Sequence, residues 1–143
     1  MPSDRSLKLM NGVHRTLMRL TFGKVGWKAA GMPVLELTTV GRKSGQTRTC
    51  LLTSPLQVGD TWVIVASRGG DDHHPAWFHN LQANPAVQVA INGKPKRAWR
   101  ARVASADERA DLWPKIIADH KNYADYQSKT QREIPLVLLT PAG

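Results

Sequence analysis

Pro33-Val34-Leu35-Glu36-Leu37-Thr38-Thr39-Val40-Gly41-Arg42-Lys43-Ser44-Gly45-Gln46-Thr47-Arg48 changes character at Gly41. Before it the residues alternate with period two and are rich in β-branched side chains, the mark of a half-buried strand. After it a second extended run covers about Thr47 to Leu56. Between them Gly41-Arg42-Lys43-Ser44-Gly45 forms a tight cationic turn. Its two glycines let the backbone turn with N–H groups exposed, and Arg42, Lys43 and Arg48 add charged donors around them. Such a turn has the chemistry to hold a phosphate, and a solvated basic hairpin explains the pattern equally. It is not a Walker A loop, because Gly-Lys-Ser/Thr is absent and Lys43 follows Arg42.

Upstream, Ser3 or Asp4 caps an expected helix in which Leu7, Met10, Val13, Leu17 and Leu20 recur at helical spacing. Arg5, Lys8, Arg15 and Arg19 make that helix basic, and Gly23, Gly26, Gly31 and Pro33 mark a loop after it. Two uses compete for the helix: packing on its own domain, or peripheral contact of residues 4–22 with a membrane surface. Downstream, a strand over Thr61–Ala66 runs into Ser67-Arg68-Gly69-Gly70, and Pro75 opens a short helix that carries Trp77 and Leu81 and stops at Asn84-Pro85. Val87–Ile91, the turn pair Asn92-Gly93 and Ala98–Val103 predict a hairpin. Ser105 and Glu108 form a capping box for a helix that carries Leu112, Trp113, Ile116 and Ile117, with Pro114 expected to kink or restart it. Tyr123 and Tyr126 sit on a second short helical stretch, and the apolar run Ile134–Leu139 predicts a central strand. About six strands in meander order, without βαβ alternation, predict a mostly antiparallel barrel with helices outside and at its ends, and exclude a Rossmann fold.

At 143 residues the chain suits one domain that buries roughly two-thirds of its unfolded surface. A lone cysteine, Cys50, has no intrachain partner for a disulfide, and the first two dozen residues mix charges with apolar residues in place of a signal-peptide core, so a cytoplasmic location is expected. No apolar run approaches the roughly 20 residues of a membrane-spanning helix. The net charge of +9 is concentrated in residues 1–50, which hold nine Lys/Arg against two acids. That block suits an anionic partner. With two Phe, two Tyr and no recognisable binding motif, nucleic acid is not the expected one.

Ala66-Ser67-Arg68-Gly69-Gly70 follows an apolar strand, as backbone does when it must approach a flat ligand, and Ser67 is placed to donate to a carbonyl. Asp71, Asp72, His73, His74 and His79 raise a metal reading, but their spacing matches no named zinc pattern and a polar loop before Pro75 explains them more simply, so no metal is expected. Cys50 reads as a small buried hydrophobe. Tyr123, Tyr126 and His120 share a helix face, either as core aromatics or as a lid over a planar substrate.

The string Leu37–Gly45 with Arg48, then Val65–Gly70, then Pro75 with Trp77, Asn80-Leu81 and Ala83-Asn84-Pro85, resembles the deazaflavin-dependent nitroreductase family. The similarity runs in order from about Leu35 to Leu138. It implies a split β-barrel of the flavin-reductase and pyridoxamine-oxidase type over residues 32–143, preceded by the helix and loop of residues 1–31. It also implies coenzyme F-420, an 8-hydroxy-5-deazaflavin with a phosphodiester and an oligoglutamate tail. On this resemblance Arg42, Lys43, Ser44, Gly45 and Arg48 hold phosphate and tail; Val65, Ala66, Ser67, Arg68, Gly69 and Gly70 line the deazaflavin; Trp77 and Asn80 support the pocket. Ser67, Tyr123 and Tyr126 orient a quinone, enone or nitroaromatic acceptor and assist its protonation. The chain departs from the family pattern at Leu51-Leu52-Thr53, where relatives often carry Pro-Leu-Tyr, at His120, where a further lid tyrosine is usual, and at Arg68, where lysine is frequent. These changes fall mainly on the substrate side. An FMN-dependent split-barrel reductase and a non-catalytic deazaflavin carrier are the alternatives.

Overall fold

The computed structural model describes residues 28–29, 32–91 and 93–142. The expected N-terminal helix and its membrane contact through residues 4–22 lie outside them. The described residues form one eight-stranded sheet. β1 (Lys28–Ala29) pairs with the first two residues of β2 (Met32–Val40). β2 makes a hairpin with β3 (Thr47–Thr53), β4 (Leu56–Val58) with β5 (Thr61–Val65), and β6 (Ala86–Ile91) with β7 (Arg97–Val103). β8 (Leu136–Pro141) lies between β5 and β7, and β6 pairs with β2, so the order is β3-β2-β6-β7-β8-β5-β4 with every pairing antiparallel. This is not the meander expected. The last strand in sequence is central, as its apolar run requires, but it inserts between two hairpins whose order no local pattern encodes.

β3 and β4, the two outer strands of that order, are separated in the chain by Ser54-Pro55 alone. A sheet whose two edges are joined by two residues has to curl until those edges meet. The single extended run expected over 47–56 is therefore two strands, broken where Pro55 offers no N–H to a ladder. Ser54 is fully buried and clamps both sides of the break. Its N–H donates to Pro33 O of β2 at 3.0 Å, and its hydroxyl donates to Val63 O of β5 at 2.7 Å. Gln57 Nε2 in turn donates to both oxygens of Ser54 at 2.9 Å.

Alternation then divides the side chains between two cores. Leu35, Leu37, Ile64, Val89, Trp99, Val137 and Leu139 fill the barrel interior together with Phe78 and Leu81 of helix α1 (Ala76–Ala83), which closes one end. The opposite face of β5 and β8, carrying Val63, Val65, Leu136 and Leu138, is covered by Ile116 of α2 (Ala106–Asp119) and Tyr123 of α3 (Asn122–Ser128). The expected capping box opens α2: Ser105 Oγ accepts from Glu108 N at 3.2 Å, and Glu108 Oε1 accepts from Ser105 N at 2.9 Å. Arg102, bidentate on that carboxylate at 2.6 and 2.8 Å, and the Ser105 N–H hold the Glu108 pKa down at about 2. Pro114 does not restart the helix, which is continuous for 14 residues. Burial of Ile116 just beyond the proline anchors the last turn.

Ser54→Ala keeps the main-chain bond to Pro33 and removes the clamp on Val63. A loss of about 1–3 kcal/mol is expected for a buried hydroxyl whose partner is left unsatisfied, read as a lower urea midpoint at unchanged slope. A parental midpoint would mean that sheet closure does not depend on the hydroxyl.

Candidate functional site

The strand registers collect the end of β2, the start of β6, the end of β7, the start of β8 and the end of β5 at one end of the barrel. The basic turn and the glycine loop both lie there, although β2 and β5 are not neighbours in the sheet. The turn is closed by Gly41 N donating to Gln46 O at 2.7 Å and by Gly45 N donating to Gly41 O at 2.8 Å, with Gly45 at φ 72°. Arg42, Lys43, Ser44, Gly45 and Arg48 are exposed. Among the described residues none of the three cations forms an ion pair. The turn is tied to α1 by Asn80, which is 7% exposed: its Oδ1 accepts from Arg42 N at 3.1 Å and its Nδ2 donates to Thr39 Oγ1 at 3.2 Å. Trp77, half-buried on the same helix, packs against the inner core.

The loop after β5 begins with Ala66, fully buried, whose N–H donates to Pro135 O at 3.0 Å. Val65, one residue earlier, turns its side chain into the outer cluster. Arg68–Gly70 forms a single 3-10 turn in which φ is 47°, 66° and 85° in succession, and Arg68 is paired with Asp71 at 3.3 Å. Gly70 is pressed against α3, so that a Cβ there would lie 2.7 Å from Tyr126 O. Its lack of a side chain is required by the helix, whatever else the loop receives. Ser67 is 9% exposed, and among the described residues neither its N–H nor its Oγ has a hydrogen-bond partner.

Arg132 is the residue that sequence reasoning missed. Its guanidinium donates to Ala66 O (3.2 and 3.3 Å), Ser67 O (2.8 Å) and Asp71 O (2.8 Å), and meets His74 Nδ1 at 3.0 Å. The Asp/His stretch is absorbed into the same loop: Asp71 Oδ1 accepts from His73 N at 3.2 Å, Asp72 Oδ1 accepts from the Thr130 hydroxyl at 2.8 Å, and the His74 ring lies tilted against Phe78 with centroids 4.7 Å apart.

Of the two tyrosines, Tyr123 is a core residue at 5% exposure, its hydroxyl 3.3 Å from Thr53 Oγ1 and 3.5 Å from Met32 Sδ. Burial pushes its pKa upward, against the Thr53 hydrogen bond. Tyr126 is half-buried, edge-on to Tyr123 at 6.0 Å, with Lys129 Nζ 5.6 Å from its ring centre. His120 lies edge-on to Tyr123 at 6.4 Å.

Residues 11–141 match the family described as F420H(2)-dependent quinone reductase. The chain belongs to that family. It is 40% identical over 131 residues to an F420H(2)-dependent quinone reductase of Mycobacterium tuberculosis, covering 90% of this chain and 87% of the relative. Among solved structures it is similar to an F420-H2 dependent reductase at 37% identity and a TM-score of 0.65, covering 75% of this chain and 93% of the other. A structure described as a domain-swapped dimer matches at 32% identity and a TM-score of 0.67, covering 91% and 98%. A putative pyridoxamine 5′-phosphate oxidase of Listeria innocua, 15% identical with a TM-score of 0.53 over 92% of this chain and 94% of the other, shares the fold. This F420H(2)-dependent quinone reductase family member is thus a split-barrel oxidoreductase whose cofactor is coenzyme F-420. The donor set fits that coenzyme: exposed cations that form no ion pair among the described residues for a polyanionic tail, and a buried serine with two donors uncommitted among those residues, beside an apolar interior, for a ring with carbonyl groups. Among the described residues no helix is long and apolar enough to cross a membrane.

Burial, then the Arg132 charge, then His79 hold the His74 pKa below its ordinary 6.5. The imidazole is neutral in the fold with Nδ1 accepting from Arg132, while the unfolded chain protonates it first. Its contribution to stability is therefore full above about pH 6.5 and is lost as pH falls through the lower folded value. His74→Asn, which offers Oδ1 to Arg132 without titrating, is expected to flatten the decline in urea midpoint between about pH 7 and about pH 5. An unchanged slope would place that decline on other groups.

Proposed function

We propose that this chain binds reduced coenzyme F-420 across the end of the barrel and reduces a quinone-type acceptor, with enones and nitroaromatics as related acceptors. The carrying observation is that the exposed cations of the 41–48 turn and the uncommitted donors of Ser67 lie at the same end of one closed sheet, linked through Asn80 and α1. Arg42, Lys43, Ser44, Gly45 and Arg48 hold the phosphodiester and the oligoglutamate tail. The backbone from Val65 to Gly70 lines the ring, with Trp77 beneath it and Asn80 setting the distance between turn and helix. When bound, the coenzyme supplies the hydride. The protein supplies position: Ser67 donates to a ring or acceptor carbonyl, and Tyr126 delivers to the acceptor oxygen the proton that accompanies the hydride. Tyr123, its hydroxyl held by Thr53 and Met32, acts by shaping the wall on which Tyr126 rests.

Titration of the protein with coenzyme F-420 and with FMN, followed by absorbance, tests this. Tight FMN binding without a response to the deazaflavin would overturn it, and deazaflavin binding without acceptor-dependent oxidation would make the protein a carrier. Charge-assisted contacts contribute on the order of 1.5–3 kcal/mol each, so Lys43→Ala is expected to weaken coenzyme affinity by roughly ten-fold or more. Turnover at saturating coenzyme should change much less, because the tail is remote from the reacting carbon. Tyr126→Phe should do the reverse, lowering kcat for the acceptor at parental coenzyme affinity. Parental coenzyme affinity in Lys43→Ala would reduce the turn to a solvated hairpin.

For residues 4–22 the proposal is peripheral contact with an anionic membrane, where a lipophilic quinone resides; their charge and apolar spacing support it. Removal of residues 1–22 is expected to abolish sedimentation with anionic liposomes and to spare coenzyme binding. Unchanged sedimentation would leave the segment a packing role.

A further inference from the structure

We infer that Arg132 is a positioning residue that sets the backbone of the Ala66–Asp71 loop in the form that receives the coenzyme ring. The inference rests on that loop being the ring site. Three consecutive residues there have positive φ, and Arg68, at 47°, is the one described residue other than glycine to do so. An L side chain is disfavoured in that region, so the conformation has to be held from outside. The carbonyls that Arg132 takes are those that bracket the run: Ala66 and Ser67 before it, Asp71 after it. Inside the turn Gly70 N donates to Ser67 O at 2.9 Å and Asp71 N to Arg68 O at 3.2 Å, and Arg132 adds an outer bracket that holds the flanking carbonyls of residues 66 and 71 to one group.

The trans peptide adds a direction. C=O and the following N–H point opposite ways across one planar unit. With Ala66 O drawn to Arg132, the Ser67 N–H is aimed away from it, and that N–H is without a partner among the described residues. Arg132 thus determines where one of the proposed ring donors points without itself being a catalytic residue. It can do so because its own main chain is fixed on both sides. Gln127 Nε2 donates to Arg132 O at 2.7 Å, Gln127 Oε1 accepts from Ile134 N at 2.9 Å and from Arg109 Nη2 at 3.1 Å, and Arg109 Nε donates to Ile134 O at 3.0 Å. Only a planar fork reaches carbonyls of residues 66, 67 and 71 together; an ammonium group keeps the charge and loses the span.

Arg132→Lys and Arg132→Met in the full chain test this by two measurements. Amide exchange in the coenzyme-free protein should accelerate at Gly70 and Asp71, whose bonds close the turn, while Val137 and Leu138 of β8 keep parental protection. Coenzyme F-420 titration should give roughly ten-fold or weaker affinity in both variants, with the acceptor KM at saturating coenzyme unchanged. Parental affinity and loop exchange in Arg132→Lys would overturn the inference, as would exchange that rises equally in the loop and in β8, which marks general destabilisation. If the parent protein itself binds no coenzyme, the ring-site reading fails, whereas loop-confined exchange would still assign the bracket to Arg132.

Discussion

A sheet whose two outer strands follow one another in the chain cannot stay open. β3 and β4 stand at the two ends of the strand order, yet Ser54-Pro55 is all that separates them, so the curl of the sheet is imposed by connectivity. Ser54 stabilises the junction from inside, bonding β2 through its amide and β5 through its hydroxyl. Closure has two consequences for the site. It creates an interior that alternate residues of six strands fill to exclude water, and it brings the ends of β2 and β5, four pairings apart along the ladder, to a common rim. On an open sheet of this order the basic turn and the glycine loop would lie four strands apart.

The rim is then adjusted by two polar side chains of opposite character. Asn80, nearly buried, ties α1 to the turn with two neutral hydrogen bonds, and Arg132 ties the segment before β8 to the glycine loop with a charged fork. Both satisfy backbone or hydroxyl groups that would otherwise be costly to leave dry. The turn cations are different. Exposed and without an ion pair among the described residues, they contribute little to folding, and screened surface pairs would add little more. Their charge therefore stays available to a ligand that brings its own anions.

Much of this was legible because it is local. The hairpin about Gly41–Gly45, the capping box of Ser105 and Glu108, the short helix after Pro75 and the apolar final strand each follow from spacing, turn chemistry or caps within a dozen residues. What was not legible is long-range. Nothing near Leu136–Pro141 says that it inserts between β5 and β7, and the Ser-Pro break in the run after Thr47 reads as a minor interruption until the edges of the sheet are known. Arg132 sits among polar residues with no periodicity, and a half-buried arginine differs from a solvated one only through partners some sixty residues away. The resemblance gave both tyrosines the same role and so did not distinguish Tyr123, which is core, from Tyr126, which is half-buried.

That distinction bears on how substrate choice can vary in this fold. Tyr123 belongs at once to the outer core, through Met32 and the β5–β8 face, and to the proposed acceptor wall, through Tyr126. Its hydroxyl reaches Thr53, the last residue of β3 before the Ser54 clamp. Position 53 therefore couples the closure of the sheet to the acceptor side, and a larger residue there has to displace either the Tyr123 hydroxyl or the wall above it. The proposed coenzyme side is built on backbone held by Asn80 and Arg132, and among the described residues neither of these side chains bonds to Thr53. Substitution near the seam thus meets Tyr123 and the proposed acceptor wall before it meets the basic turn or the glycine loop, so residues 53 and 120 can vary while the two loops keep their own hydrogen bonds.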